Sequence, residues 1–374
     1  MPLTIVPIRT RRDVRRFLML PRSIYRGDPN WVSPLLRDIR ASLDVPSLGR
    51  SNTQEAFLAL AGTRPVGRVL AGIDPVLNAR KGEQAGHLSL FECIDDDEVA
   101  GALFEAACSW LRAKNIVLVR GPVSPSGPAM DEYKGLLING FERPPVVLTS
   151  YNPPYYQRLF EQHGFAKDLD VFAYYLDADR LFARNPDRAL EYAARKHRWR
   201  LEMMNPKNPE RDIRAIKQVL DVAVPAEWPD MIPPSLDEVR LMAARLMPLC
   251  DPELLIMAWS GDDPIGFGIA VPDYNQVLKH LHGRITPVGA LKALWYRRRI
   301  RAIRFFILFV VPAFRSKGVS HAIYRRTFVR GIAKGYRWGE GSTIGETNLP
   351  MRHDIEGIGA ERYKTYRVYR KAVT

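Results

Sequence analysis

Between Tyr274 and Gly339 the chain has no aspartate and no glutamate, over 66 residues that carry 15 lysines and arginines. With a formal charge of +14 overall, this acid-free stretch should give one face a strong positive field. A phosphorylated small molecule, a nucleic acid or an anionic membrane surface suits such a field; a merely solvated basic face is the plainer alternative. Cysteine is scarce. Cys93, Cys108 and Cys250 stand apart with no CxxC, which excludes a disulfide framework and a cysteine zinc site and fits a reducing compartment. The seven histidines are dispersed, with no HExxH, so no metal is expected. Long apolar runs are missing too. The longest, "FFILFVVPAF" at Phe305–Phe314, is far short of the ~20 residues of a spanning helix. The first residues lack the basic, apolar, cleavable order of a signal peptide. A soluble cytoplasmic chain is expected, its membrane contact at most peripheral to the inner face.

What is present begins with size. At 374 residues, 46% of them hydrophobic, two domains with proper cores are the natural expectation. The first half alternates strands and helices. "LTIVPIR" is a short strand pattern before a helical "RRDVRRFLMLPRSIY". "QEAFLALAGTRPVGRVLAGID" reads as two strands about a turn, and "AGHLSLFECID" as another strand. "DDEVAGALFEAACSWLRAKN" has helical spacing with acids in its first turn. "IVLVRGPVSP" is a buried strand, "PPYYQRLFEQHGF" a short helix closed by Gly164, and "DVFAYYLD" a last strand. The second half repeats the order: two helices about a proline-rich "PAEWPDMIPP", a strand pair, "IRFFILFVV", a long helix, "RWGEGSTI", a short glycine-closed helix and "RYKTYRVYRK". This is a structural duplication read from element order. It predicts an α+β chain of two domains, 1–178 and 179–374, joined near Leu176–Arg188, each a twisted mixed β-sheet flanked by helices. A basic helical insertion is expected near 276–300.

One loop bears most of the functional reading. "VVPAFRSKGVS" (Val310–Ser320) leaves a buried strand and opens a helix. A helix start has free N–H groups and the positive end of the dipole, and pyrophosphate binds there if small residues let the backbone approach. Gly318 and Ser320 are small; Arg315 and Lys317 add charge. The order Arg315-Ser316-Lys317-Gly318-Val319-Ser320, after Val310-Val311-Pro312, resembles the acyl-CoA loop of the GNAT N-acetyltransferase superfamily. Ser320 departs from that family's final Gly or Ala. "GETNLPMRHDIEGIGAERYKTYRVYRK" is also similar to the end of a GNAT domain. The resemblance covers the second half by motif and the first half by element order, and implies two GNAT-like domains. In the first half the parallel loop is "CIDDDEV". Asp95, Asp96, Asp97 and Glu98 would repel phosphates, so that half is expected to be degenerate, without CoA.

The resemblance implies direct acyl transfer from acetyl-CoA or a longer acyl-CoA to an amine. A base takes the amine's proton and an acid protonates the thiolate. Glu340, Glu346 and Asp273 are the base candidates; Tyr363 and Tyr366 are the acid candidates. Asn348 resembles the family's asparagine on the pantetheine arm, and is equally well placed to cap a helix. The glycine- and proline-rich "RGPVSPSGPAMDEYKGLLINGFERPP" and the neighbouring "SYNPPYY" are loops of the kind that line a pocket.

"ALKALWYRRRIRAIRFF" joins Leu, Trp and Phe to clustered arginines, the composition of an interfacial helix on anionic lipid. The overall pattern also resembles a bacterial GNAT-like group associated with ceramide synthases, which N-acylate sphingoid bases. That implies a lipid-like amine as acceptor, against a small-molecule amine. Two other functions stay open: a Fem-like transferase using aminoacyl-tRNA, which the basic stretch would suit, and a non-catalytic module that binds acyl-CoA or a membrane.

Overall fold

The computed structural model describes residues 2–43, 51–124, 134–183, 185–225 and 232–373. It comprises two compact units. Unit 1 is Met1–Val171, Asn275–Arg298 and Lys364–Thr374; unit 2 is Phe172–Tyr274 and Arg299–Tyr363. The first segment contains β1 (Leu3–Pro7), α1 (Arg11–Met19), α2 (Pro21–Ile24), α3 (Leu36–Ser42), β2 (Gln54–Ala61), β3 (Arg64–Ile73) and α4 (Pro75–Lys81). It continues with β4 (Ala85–Cys93), α5 (Asp97–Arg112), β5 (Leu118–Gly121), β6 (Leu136–Asn139) and α6 (Tyr156–Gln162). Strand β7 (Ala166–Asp177) starts in unit 1 and ends in unit 2. Unit 2 then has α7 (Ala178–Ala183), α8 (Asp187–His197), β8 (Arg200–Met203), α9 (Pro209–Ala223), α10 (Leu236–Leu246), β9 (Leu255–Ser260) and β10 (Asp263–Pro272). The short helices α11 (Asn275–Leu278) and α12 (Pro287–Arg297) return to unit 1. Unit 2 resumes with β11 (Ala302–Val310), α13 (Val319–Ala333), β12 (Trp338–Gly345) and α14 (Leu349–Gly357). Strand β13 (Glu361–Ala372) starts in unit 2 and ends in unit 1.

The α+β class and the repeated element order are both present. The linear cut between residues 178 and 179 is not how the units divide. The insertion and the end of β13 belong to unit 1, because strand pairing and helix docking are set by contacts distant in sequence, which local patterning does not encode.

In unit 1 the strand order is β1-β2-β3-β4-β5-β13, with β6 also on β13. Helix α5 covers this sheet. Its start is fixed by Asp96, whose carboxylate accepts the Val99 N–H at 3.2 Å, with Asp97 and Glu98 favouring the dipole's positive end. Val99, Leu103, Phe104, Ala107 and Leu111 recur at helical spacing and are buried, each large side chain contributing roughly 1.5–3 kcal/mol. Tyr369 and Val373, from the end of the chain, are buried in the same core.

In unit 2 the strand order is β7-β12-β11-β10-β9-β8. Helix α13 packs Val319, Ile323, Tyr324 and Phe328 with Phe305 and Ile303 of β11 on one side of this sheet. Helix α9 packs Ile216, Val219 and Leu220 with Phe267 and Phe309.

Candidate functional site

The central strands of unit 2 are paired over only part of their length. The parallel β11–β12 register runs from Ala302↔Trp338 to Phe305↔Gly341 and stops there. β11 continues to Val310 and β12 to Gly345. β11 stays with β10 as far as Val310↔Gly266, so it is β12 that parts from it. Phe306, Ile307 and Leu308, mid-strand, are only half-buried. Among the described residues no β12 residue is in register with β11 beyond Phe305, which leaves a strand side along which a linear ligand could lie.

Eight residues, 311–318, join β11 to α13. A 3-10 turn at Pro312–Phe314 follows Val311. Ser316 has φ +58° and Gly318 φ +79°, both in the left-handed region that costs non-glycine residues about 1–2 kcal/mol. Gly318 is the N-cap and offers no side-chain acceptor. The first helical bond here is Ala322 N–H to Gly318 C=O at 2.9 Å. Val319, Ser320 and His321 therefore have no helical carbonyl behind their N–H groups, the arrangement that takes an anion. The loop is held from its other side: the Trp199 indole donates to Lys317 O at 3.1 Å, and Leu190 and Ala193 of α8 lie 3.4–3.5 Å from where a Gly318 Cβ would be.

The loop's side chains are mostly engaged within the protein. The Arg315 guanidinium donates to Val310 O at 3.3 Å and Ala223 O at 2.9 Å, bracing the turn. The Lys317 ammonium lies 4.9 Å from the Phe314 ring centre. Buried Ser320 donates its hydroxyl to the Asp354 carboxylate on α14. Asp354 is held above the usual carboxylate range by burial, which outweighs the Ser320 bond. The serine that departs from the family pattern thus ties α13 to α14.

Glu340 and Tyr363, proposed separately as base and acid, meet. The Tyr363 hydroxyl donates to Glu340 Oε2. Glu340 is fully buried, and its Oε1 has no hydrogen-bond partner among the described residues. A buried carboxylate oxygen without a donor is costly and is where a ligand N–H or a water would bind. Glu340 pairs in register with Arg304, one position before β11 and β12 part. Tyr175 meets Tyr363 edge-on at 6.0 Å and stacks on Trp338 at 5.5 Å.

The other candidates are placed differently. Asp273 is buried just after β10, its N–H donating to Ala302 O at 2.9 Å. Glu346 is half-buried past the end of β12, and its carbonyl accepts from Arg352 at 3.0 Å. Asn348 caps α14, its side chain accepting the Met351 N–H at 3.4 Å, the capping alternative weighed for it. Tyr366 is buried on β13, three residues after Tyr363, and falls in unit 1. Residues 125–133 of the expected pocket loop lie outside the described residues, as do 226–231 of the proline-rich connection.

Sequence reasoning missed Arg304. It is buried on β11 and donates through Nε to Ser342 Oγ at 3.0 Å and through its Nη2 to Ser342 O at 3.3 Å. A lone arginine inside "IRFFILFVV" was the available signal, since an arginine is almost never fully buried unless paired.

Unit 1 repeats the geometry without the cradle. β4 and β5 pair from Ala85↔Leu118 to His87↔Arg120 only, while β4 runs on to Cys93. Just three residues, 94–96, then lead to α5. The acids there are used internally: Asp96 as the cap, Asp95 with Arg158, and Asp97 with His163 at 3.2 Å. The backbone at the strand end is occupied as well. The Cys93 N–H donates to the Tyr156 hydroxyl at 2.8 Å, and Cys93 O accepts from Tyr155 at 2.7 Å. Among the described residues no group of three or more His, Cys, Asp or Glu could hold a metal ion, and no helix is long and apolar enough to cross a membrane.

Among solved structures, the fold is that of the GNAT acetyltransferases. A GCN5-related N-acetyltransferase from Sphaerobacter thermophilus superposes with TM-score 0.57 at 14% identity, covering 99% of this chain and 96% of that one. A tandem GNAT protein from the clavulanic acid biosynthesis pathway gives TM-score 0.54 at 12% identity, covering 100% and 99%. No family model matches the chain. By sequence the chain is similar to the bacterial ceramide synthase of Caulobacter vibrioides, 29% identical over 99% of this chain and 98% of that protein. It is also 28% identical to protein YghO of Escherichia coli, over 97% and 94%.

Proposed function

We propose that the chain is an acyl-CoA-dependent N-acyltransferase whose chemistry is carried by unit 2. The observation behind this reading is the Glu340–Tyr363 pair, with Glu340 buried where β11 and β12 part and Tyr363 half-buried against it. The α13 N-terminus, at the far end of β11, takes the CoA pyrophosphate on the N–H groups of Val319 and Ser320. Gly318 permits the close approach, and Lys317 and Arg315 contribute field more than contact. The pantetheine arm lies along the stretch of β11 beyond Phe305 that has no β12 residue in register, toward Val310 and Val311.

The amine nitrogen then attacks the thioester carbon, and the carbon–sulfur bond breaks. Glu340 takes the ammonium proton on its free oxygen. Tyr363 gives its hydroxyl proton to the thiolate and recovers one from protonated Glu340, so the dyad ends as it began. Each proton transfer of this kind is worth about 10²–10⁴-fold in rate.

For the acceptor we favour a lipid-like amine of the sphingoid type, and for the donor a long-chain acyl-CoA. The support is the similarity over nearly the whole chain to a protein named bacterial ceramide synthase. The test is a matched assay with acetyl-CoA or palmitoyl-CoA, and sphinganine or a short polar amine as acceptor. Amine-dependent thiol release and an amide detected by mass spectrometry are expected with palmitoyl-CoA and sphinganine. Thiol release that ignores the amine, or no amide with any pair, would overturn the reading.

A further inference from the structure

The inserted helices α11 and α12 form a surface in unit 1 that the acyl-transfer reading does not use. They are anchored by backbone contacts. The Leu36 N–H donates to Gly283 O at 3.0 Å, and the Arg22 guanidinium donates to His282 O. A Cβ on Gly283 would lie 2.6 Å from Ser33 Oγ and 2.8 Å from Pro34 O. Along the insertion Leu281 and Gly289 are buried, and Tyr296 stacks on His280 at 3.7 Å. Its outer face is exposed: Val288 is 63% exposed, Leu291 69%, Leu294 63% and Trp295 50%. At roughly 100° per residue these four fall within about a third of the helix circumference. Lys292 flanks the stripe and Arg298, the C-cap of α12, closes its end; both are exposed.

A cavity adjoins it. About 250 Å³ in volume, it is lined by Arg11, Arg15, Arg40 and Arg284 over Val14 and Leu18, and among the described residues no acid lines it. Arg284 stands two residues before Thr286, the cap of α12, so the cavity and the apolar stripe are neighbours along the chain. Helix α1 supplies the other side. Its capping box, Thr10 with Asp13, fixes the start, Val14 and Phe17 face inward, and Arg11 and Arg15 are left exposed.

We propose that this face of unit 1 docks on an anionic phospholipid membrane. The Val288, Leu291, Leu294 and Trp295 side chains enter the headgroup boundary, and the four arginines take a lipid phosphate. Charge decides the occupant. A second copy would set one +14 chain, and its exposed cations, against another. A nucleic acid would satisfy the arginines but leave three aliphatic side chains and an indole in water. An anionic bilayer meets both demands at once. The proposal concerns binding by unit 1 alone and does not depend on acyl transfer.

The test is flotation of the full chain with vesicles of phosphatidylcholine, or of phosphatidylcholine mixed with phosphatidylglycerol. Binding to the mixed vesicles only is expected. Leu291→Glu with Leu294→Glu should weaken it about tenfold or more. Arg11→Gln with Arg15→Gln and Arg284→Gln should weaken it by roughly 100-fold at low salt. Trp295→Phe should keep binding and remove a blue-shifted component of the emission. Each variant's melting temperature and palmitoyl-CoA stabilisation should stay at the wild-type value, which separates failure to dock from failure to fold or to bind CoA. Absence of flotation, flotation unchanged by both charge and leucine variants, or binding to RNA in place of vesicles would overturn the proposal.

Discussion

The Tyr363 hydroxyl is bonded to Glu340, across two strands whose starts lie 23 residues apart in sequence. One carboxylate oxygen is thereby occupied and the other left open, which is the asymmetry a proton-transfer pair needs. Glu340→Gln and Tyr363→Phe should each lower kcat by about 10²–10⁴-fold while leaving palmitoyl-CoA stabilisation intact. Thiol-release kinetics with thermal shift on the same samples would check this. Loss of CoA stabilisation along with activity would instead give the pair a structural role.

Gly318 separates space from backbone strain. A Cβ there meets only ordinary contacts at 3.4 Å or more, but φ is +79°. Gly318→Ala should cost about 1 kcal/mol of stability and weaken acyl-CoA binding modestly. Gly318→Glu adds a negative charge where phosphates would lie and should abolish stabilisation by palmitoyl-CoA. Persistence of that stabilisation in the glutamate variant would move the donor site elsewhere. Stabilisation by tRNA in its place would favour the aminoacyl-tRNA alternative.

The Ser320–Asp354 bond predicts a pH signature. Burial raises the folded-state pKa of Asp354 above its unfolded value, and the Ser320 hydroxyl opposes that rise. A raised carboxyl contributes stability at low pH and loses it as pH climbs through the folded pKa. Ser320→Ala removes the opposing donor, so the pKa should rise further. The stability deficit of this variant should be larger near neutral pH than in acid below the folded-state pKa of both proteins, where the carboxyl is neutral in each. Melting temperature against pH would show a constant deficit if the hydroxyl mattered only through packing.

The end of β13 should be indispensable to unit 1. Tyr369 is fully buried beside Phe160 at 5.4 Å, and its hydroxyl donates to Glu161 at 3.0 Å. Tyr369→Ala should destabilise unit 1 by about 3–5 kcal/mol, as for other large aromatic truncations. Removing 364–374 should expose α5 to hydrogen exchange. A stable, protected 1–178 fragment would contradict this.

Much of the fold was legible because local chemistry dictates local structure. α5 is written in its acids and its apolar spacing, and the β2–β3 hairpin in its turn residues. The loop's character was legible too, since Gly318 stands where the chain turns left-handed into a helix. What escaped notice depends on distance. The short strand β6 lies in a stretch that reads as loop, because "LLIN" forms a strand only against β13. The pairing of Glu340 with Tyr363 joins a base candidate to an acid candidate, yet nothing in either strand names the other. Ser320 looked like an imperfect copy of a glycine; its partner Asp354, on another helix, explains why a hydroxyl is there.

The return of β13 to unit 1 also sets an order of events during synthesis. α5 and the first five strands leave the ribosome early, but the side chains that close their core, Tyr369 and Val373, emerge only after all of unit 2. Contacts of such long sequence separation form late, and an exposed, waiting sheet edge invites mispairing. Unit 1 begins first and is finished last, so the nascent chain, more than the folded protein, is where chaperones should be needed.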